Sequence, residues 1–163
     1  MKEIRVYSVM YSLLSNHRVI LLKEIHGERF LPIWIGHHEW EAIRLRLQGI
    51  RMQRPLTHDL LKNVIAELGG ELQYVVVNAL HNNTFYAKMA VEQDGQMRLI
   101  DSRPSDAIAL ALRASVPIYV EEEVLEEAGI LPSPEIRLHK EQEDDLDVFR
   151  DFLDTLDLDD TGD

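Results

Sequence analysis

Two short segments of this chain combine arginine, proline, a hydroxyl residue and an acid, which are side-chain types that bind and cleave phosphate esters. The first is Arg54-Pro55-Leu56-Thr57-His58-Asp59 and the second is Arg103-Pro104-Ser105-Asp106. Helix capping accounts for the proline, hydroxyl and acidic residues, because all are favoured in the first turn of a helix. Capping does not account for the arginines or for His58. We therefore expect two helix starts that converge on one phosphate-sized anion; the alternative is that the arginines pair with nearby carboxylates.

Hydrolysis of a phosphodiester requires an activated water, neutralisation of charge at phosphorus and stabilisation of the leaving oxygen. Histidine, carboxylates and arginine can supply these functions. A lone histidine such as His58 can equally be a structural hydrogen-bond partner. We predict catalytic roles for His58, Asp59, Asp106 and Glu39, substrate binding by Arg54, Thr57, Arg103 and Ser105, and, if a divalent cation such as Mg²⁺ takes part, its ligation by Asp106, Asp59 and Asp101.

The net charge of −12 is concentrated near the C-terminal end of the sequence. Eleven acidic residues and one arginine lie between Glu141 and Asp163, so that segment carries −10 and residues 1–140 carry −2. Within residues 1–140, basic residues are concentrated in one region, which could bind along the phosphate backbone of a nucleic acid. The same residues could equally form the charged, solvent-exposed face of a helix. They are Arg44, Arg46, Arg51, Arg54 and Lys62.

The predicted elements repeat an order of three strands followed by a helix. The helical segment Glu41–Gln48 also aligns with Asp106–Arg113, although amphipathic helices commonly resemble one another. We predict an α+β fold of internally duplicated β-β-β-α units, with a mostly antiparallel sheet and helices packed on it. Strands are predicted at Ile4–Leu14, Val19–Ile25, Arg29–Ile35, Leu72–Leu80, Thr84–Glu92, Gln96–Asp101 and Pro117–Val120. Helices are predicted at Glu39–Gln48, Thr57–Leu68, Pro104–Ala114 and Glu122–Ala128.

The sequence Pro132-Ser133-Pro134 indicates a linker. We predict a compact domain over residues 1–131, followed by a linker and an acidic C-terminal helix over residues 132–163. We expect this amphipathic helix to dock on the domain or on a partner subunit. Its apolar residues at helical spacing are Leu146, Phe149, Leu153 and Leu156.

The composition excludes several kinds of site and favours one location. Because the chain has no cysteine, it has neither disulfides nor thiolate metal sites. No apolar run approaches the about 20 residues that span a bilayer, and the first residues lack the pattern of a signal peptide. We therefore expect a cytoplasmic protein without membrane contact. Because the edges of a sheet need to be covered, we also expect a homo-oligomer, most simply a dimer.

Five motifs, in a fixed order between Ile4 and Gly129, resemble those of the bifunctional nuclease family, which was formerly listed as a domain of unknown function. One departure is Trp40, where the family pattern leads us to expect a small residue after the glutamate. The motifs are Leu31-Pro32-Ile33-Trp34-Ile35-Gly36, Glu39–Ile43, Arg54-Pro55-Leu56-Thr57-His58-Asp59-Leu60-Leu61, Thr84-Phe85-Tyr86-Ala87 and Asp101-Ser102-Arg103-Pro104-Ser105-Asp106-Ala107-Ile108-Ala109-Leu110-Ala111.

The resemblance implies nuclease activity towards RNA and DNA, with nucleic acid as the partner, in a bacterial cytosolic setting. It does not imply an agreed set of catalytic residues, so the site assignments above rest on residue chemistry. We predict a nuclease that hydrolyses phosphodiester bonds of RNA, DNA or both. The alternative is a non-catalytic oligomeric module that binds an anionic ligand or a protein partner, which the near-neutral charge of residues 1–140 favours.

Overall fold

The computed structural model describes residues 1–132 as a mixed α+β fold. The predicted linker beyond Pro132 and the predicted C-terminal helix lie outside the described residues. The strands are β1 (Lys2–Tyr11), β2 (Arg18–Glu24), β3 (Phe30–Ile35), β4 (Gly70–His81), β5 (Thr84–Gln93), β6 (Gln96–Ser102) and β7 (Ile118–Val120). The helices are α1 (His37–Leu47), α2 (Thr57–Glu67), α3 (Pro104–Ala114) and α4 (Glu122–Ala128).

All seven strands form one sheet in the order β3-β2-β1-β7-β4-β5-β6. Every strand pair is antiparallel except β4 with β7, so the predicted α+β class and mostly antiparallel sheet are confirmed. Each half contributes a three-stranded meander, and β7 joins the two meanders at the centre. The order of elements is thus alike in both halves; a common origin of the halves stays a prediction.

Two tight turns show why the strands end where the sequence predicts. Asn82 and Asn83 connect β4 to β5 with φ of 48° and 60°, and Asp94 and Gly95 connect β5 to β6 with φ of 52° and 75°. Asn, Asp and Gly accept these left-handed conformations at low cost, and such pairs are typical of two-residue hairpin loops. The hairpins in turn fix the register of β5, which leads to β6 and the start of α3.

The main core lies between the sheet and the helices. Helix α3 is its centre, because Ile108, Ala109 and Leu110 are at most 1% exposed. Helices α1 and α2 both pack against α3, so the three helix starts are held in a fixed arrangement. Within residues 1–132, no helix is long and apolar enough to cross a membrane.

Helix α2 begins at Thr57, as predicted. Leu56 precedes its first turn, and the N–H of Leu56 donates to Asp59 Oδ2 over 2.9 Å. Five leucine, isoleucine and valine residues lie between positions 60 and 68, but only Leu61 and Ile65 pack against the core. The remaining three are exposed, namely Leu60, Val64 and Leu68.

Candidate functional site

Four of the predicted site residues touch one another at the starts of three helices. The His58 Nε2 atom, in the first turn of α2, lies 2.8 Å from Asp106 Oδ1 in the first turn of α3. Asp106 Oδ2 accepts a hydrogen bond of 2.8 Å from Arg103 Nε, and another guanidinium nitrogen of Arg103 donates to Glu39 Oε1 over 2.7 Å. We call Glu39, His58, Arg103 and Asp106 the helix-start cluster. It joins α1, α2 and α3 through side chains alone.

Asp106 is the central residue of this cluster, and it is charged at neutral pH. Burial by itself would raise its pKa, but the hydrogen bonds from Arg103 and His58 outweigh burial and hold the pKa below its usual value. Its side chain is 28% exposed, whereas that of Arg103 is 66% exposed. The guanidinium therefore forms the solvent-facing surface of the cluster.

The charge of Asp106 also fixes the tautomer of His58. A carboxylate can only accept, so the proton of the hydrogen bond must lie on His58 Nε2. In the neutral imidazole, Nδ1 is then the basic nitrogen. His58 is only 7% exposed, and this buried position holds the ring in one orientation. The arrangement is that of a carboxylate that orients a histidine base.

Asp59 faces away from the cluster, although it follows His58 directly. Its Oδ1 accepts a hydrogen bond of 2.9 Å from Arg113 Nε, near the end of α3. Arg113 is 6% exposed and also donates to the carbonyl oxygens of Ala109 and Ala42, over 2.9 Å and 3.0 Å. Arg113 thus ties α1 and α2 to α3 at a second point.

Arg54 lies in a separate cleft of about 310 Å³ beside α2. The cleft is formed mainly by the loop between α1 and α2, with Asp59 and Arg113 on its inner side. We call it the arginine cleft, because four arginines line it: Arg46, Arg51, Arg54 and Arg113. Arg54 and Arg103 therefore belong to different sites, and the two Arg-Pro segments do not converge on one anion-binding pocket.

The remaining predicted residues are not among the hydrogen-bonded members of the cluster. Ser105 is buried, with 6% of its surface exposed. Thr57 is exposed at the start of α2. Asp101 lies on the exposed edge strand β6, where it is paired in register with Lys88 of β5.

The three carboxylates predicted as metal ligands do not form a common ligand set. Both oxygens of Asp106 are bound by His58 and Arg103, and both oxygens of Asp59 are bound by Arg113 and the backbone of Leu56. Over residues 1–132, no group of three or more potential ligand side chains is close enough to hold a metal ion. A role for a divalent cation stays a prediction.

Arg113 is the residue that the sequence reasoning missed. A signal for it was present, because Arg113 follows Asp106 by seven positions and so lies on the same face of α3. An arginine that follows alanine and leucine on one face of a helix indicates a buried charge with designated partners.

Comparison with known proteins agrees with the resemblance seen in the sequence. The family model described as the bifunctional nuclease domain matches residues 20–133. An uncharacterized protein of Mycobacterium tuberculosis strain H37Rv is 44% identical over 163 residues, which cover 98% of both chains.

Plant proteins with nuclease names are more distant relatives. Bifunctional nuclease 1 of Oryza sativa subsp. indica is 25% identical over 118 residues, which cover 71% of this chain and 36% of the rice protein. Bifunctional nuclease 2 of Arabidopsis thaliana is 27% identical over 110 residues, which cover 65% of this chain and 33% of the plant protein. The alignment thus spans about a third of each plant protein.

Proposed function

The chain belongs to the bifunctional nuclease domain family, and from this membership we propose that it hydrolyses phosphodiester bonds of RNA, DNA or both at the helix-start cluster. One observation carries the choice of site: Glu39, Arg103, Asp106 and His58 form a continuous series of contacts where three helices begin. The nuclease names of the plant relatives support the reaction class.

His58 is proposed as the general base. As a water oxygen forms its new bond to phosphorus, His58 Nδ1 accepts a proton from that water. The bond between phosphorus and the leaving sugar oxygen then breaks on the opposite side of phosphorus, and that oxygen takes a proton from solvent water while the imidazolium of His58 releases its proton to solvent. Asp106 holds the required tautomer and stabilises the imidazolium that forms.

Arg103 is proposed as the group that neutralises charge on the phosphate. Its guanidinium is the most exposed part of the cluster, and two carboxylates fix its orientation, those of Asp106 and Glu39. A guanidinium held in advance stabilises developing negative charge without a cost of reorganisation during the reaction. Glu39 acts through Arg103 and is a positioning residue.

The alternative function is a non-catalytic oligomeric module, and a specific observation favours it. The cluster contains two carboxylates and one guanidinium, and its histidine is buried, which is typical of contacts that stabilise the packing of helices. In that case the same contacts would stabilise the fold and perform no chemistry. The ligand of such a module would be an anion or a protein partner.

Cleavage of labelled single-stranded RNA and DNA by the purified chain separates the two functions. We expect the wild type to cleave, and the Asp106→Asn variant to fold normally and cleave about 10²-fold or more slowly, which is the scale of a lost general catalyst. The matched control is Asp94→Asn, the same chemical change in the turn between β5 and β6. Asn accepts the positive φ of 52° found there, so this variant should cleave as the wild type does.

Full activity in a folded Asp106→Asn variant would contradict the assigned site. A wild type that cleaves neither nucleic acid would favour the non-catalytic module.

A further inference from the structure

The arginine cleft contains two cations that no carboxylate neutralises within the described part of the chain. In the same basic region, Arg44 pairs with Glu41, and Lys62 donates to the carbonyl oxygen of Arg113. Across residues 1–132, neither Arg51 nor Arg54 has an ion-pair partner, and both are exposed. Within the described residues, these two guanidinium groups therefore face solvent without a neutralising carboxylate.

The inner side of the cleft holds its charges in place. Arg113 is buried and bound to Asp59, whereas Arg46 donates to the carbonyl oxygen of Leu112 over 3.3 Å. Four arginines against the single carboxylate of Asp59 leave the lining with an excess of positive charge. Residues 1–140 carry only −2 overall, so the local excess of positive charge in this cleft would attract an anionic polymer.

Apolar side chains alternate with the arginines along the loop that forms the cleft. Ile50 is 45% exposed and Met52 is 54% exposed, and both line the same cleft as Arg51 and Arg54. A nucleic-acid strand presents phosphates and bases in turn, so the arginines can bind the phosphates and the apolar side chains can contact a base, although none of the described lining residues is aromatic. A cleft of about 310 Å³ lies at the lower end of the range for small-molecule sites. A single nucleotide unit fits a space of this size, and its base is free to contact Ile50 and Met52 when it is unstacked, as in a single strand.

We propose that the arginine cleft binds single-stranded nucleic acid, with Arg51 and Arg54 on the phosphates and Ile50 and Met52 against a base. The inference rests on the proposed nuclease function and adds a substrate class and a binding surface to it. His58 and Asp59 are consecutive in α2, and they belong to the cluster and the cleft respectively. The first turn of α2 therefore contributes a side chain to each of the two sites.

Fluorescence anisotropy of a labelled oligothymidylate of about 12 nucleotides tests this surface in the full-length chain. The Arg51→Ala/Arg54→Ala double variant should bind about tenfold or more weakly than the wild type, because two phosphate contacts are lost. Its plot of log affinity against log salt should be shallower by about 1.4, since each contact to a single strand contributes about 0.7. An unlabelled duplex of equal length should compete less well than the single strand.

Arg44→Ala is the matched control, because it removes the same charge from an arginine outside the cleft that is already paired with Glu41. We expect it to keep the affinity and the salt dependence of the wild type. Equal effects of the control and the double variant would overturn the cleft as a binding surface. Equal competition by the duplex would overturn the preference for single strands.

These outcomes are separable from failure of the proposed function. If the wild type cleaves nothing and the Arg51→Ala/Arg54→Ala variant binds more weakly than the wild type, the cleft is supported as a binding surface and the nuclease function is contradicted. If cleavage depends on Asp106 and the Arg51→Ala/Arg54→Ala variant binds as the wild type does, the nuclease function is supported and the cleft is contradicted as a binding surface.

Discussion

Asp106 receives hydrogen bonds from a buried histidine and from an exposed arginine, and this position gives it two effects. It sets the tautomer of His58, and it holds Arg103 at the surface of the helix-start cluster. Both effects depend on its negative charge and not on its shape. Asparagine, which keeps the shape, therefore isolates the contribution of the charge.

The stability that Asp106 contributes should depend on pH. Because its pKa in the folded protein lies below the ordinary value of 3.8, ionisation favours the folded state. This contribution is fully present above the unfolded-state pKa and is lost as the pH falls through the lower, folded-state pKa. In urea unfolding, the free-energy difference between the wild type and Asp106→Asn should be constant near neutral pH and should shrink below about pH 4. A difference that stays the same from pH 7 to the acid limit of folding would contradict this assignment.

At the scale of elements, Arg113 connects the three helices that carry the site. It donates to Asp59 of α2, to Ala42 of α1 and to Ala109 of α3. The helix-start cluster joins the same three helices near their starts, and in α2 its member His58 directly precedes Asp59. Two side-chain networks, one at each end of α3, thus fix the angles between helices on which the geometry of the cluster depends.

Replacement of Arg113 should destabilise the fold more than replacement of an exposed arginine in the same cleft. We expect Arg113→Met to lower the free energy of unfolding by about 2–3 kcal/mol, because buried acceptors lose a charged donor. The matched control is Arg46→Met, which removes one long hydrogen bond at an exposed position and should cost no more than about 0.5 kcal/mol. Urea unfolding at pH 7 measures both values, and equal losses would show that Arg113 does not hold the helices together.

Most elements of residues 1–132 could be predicted, because their signals are local. Pro104 starts α3 and the Asp94-Gly95 turn ends β5, as their backbone preferences dictate. The exposure of Val64 on α2 could not be predicted, since periodicity identifies an apolar face but not what covers it. Contact between His58 and Asp106 depends on the packing of α2 on α3, which no local pattern specifies.

At the scale of the whole molecule, the sheet ends in β6, a strand that no other element of residues 1–132 covers. Every residue of β6 except Ser102 is exposed, including apolar side chains on both faces. Exposed edges of this kind pair readily with other strands unless they are covered. The homo-oligomer expected from the sequence therefore has a specific candidate interface, and its formation stays a prediction.

Light scattering tests the predicted oligomer. We expect a dimer of roughly twice the chain mass of 18.9 kDa, formed through antiparallel pairing of two β6 edges. Leu99→Lys places a charge on that edge, where leucine is 55% exposed, and should yield monomers. Leu13→Lys is the matched control, at an 83% exposed position in the turn after β1, and should leave the dimer intact. A wild type that is monomeric at all practical concentrations would contradict the interface.

Whether His58 and Asp106 act as one catalytic unit can be measured by a double-mutant cycle of cleavage rates on single-stranded substrate. We predict that His58→Asn and Asp106→Asn each slow cleavage by about 10²-fold or more, and that the double variant is barely slower than the slower single variant. Residues that act independently would instead multiply their effects. Folded single variants that cleave at the wild-type rate, or a double variant whose loss is the product of the two, would contradict the account.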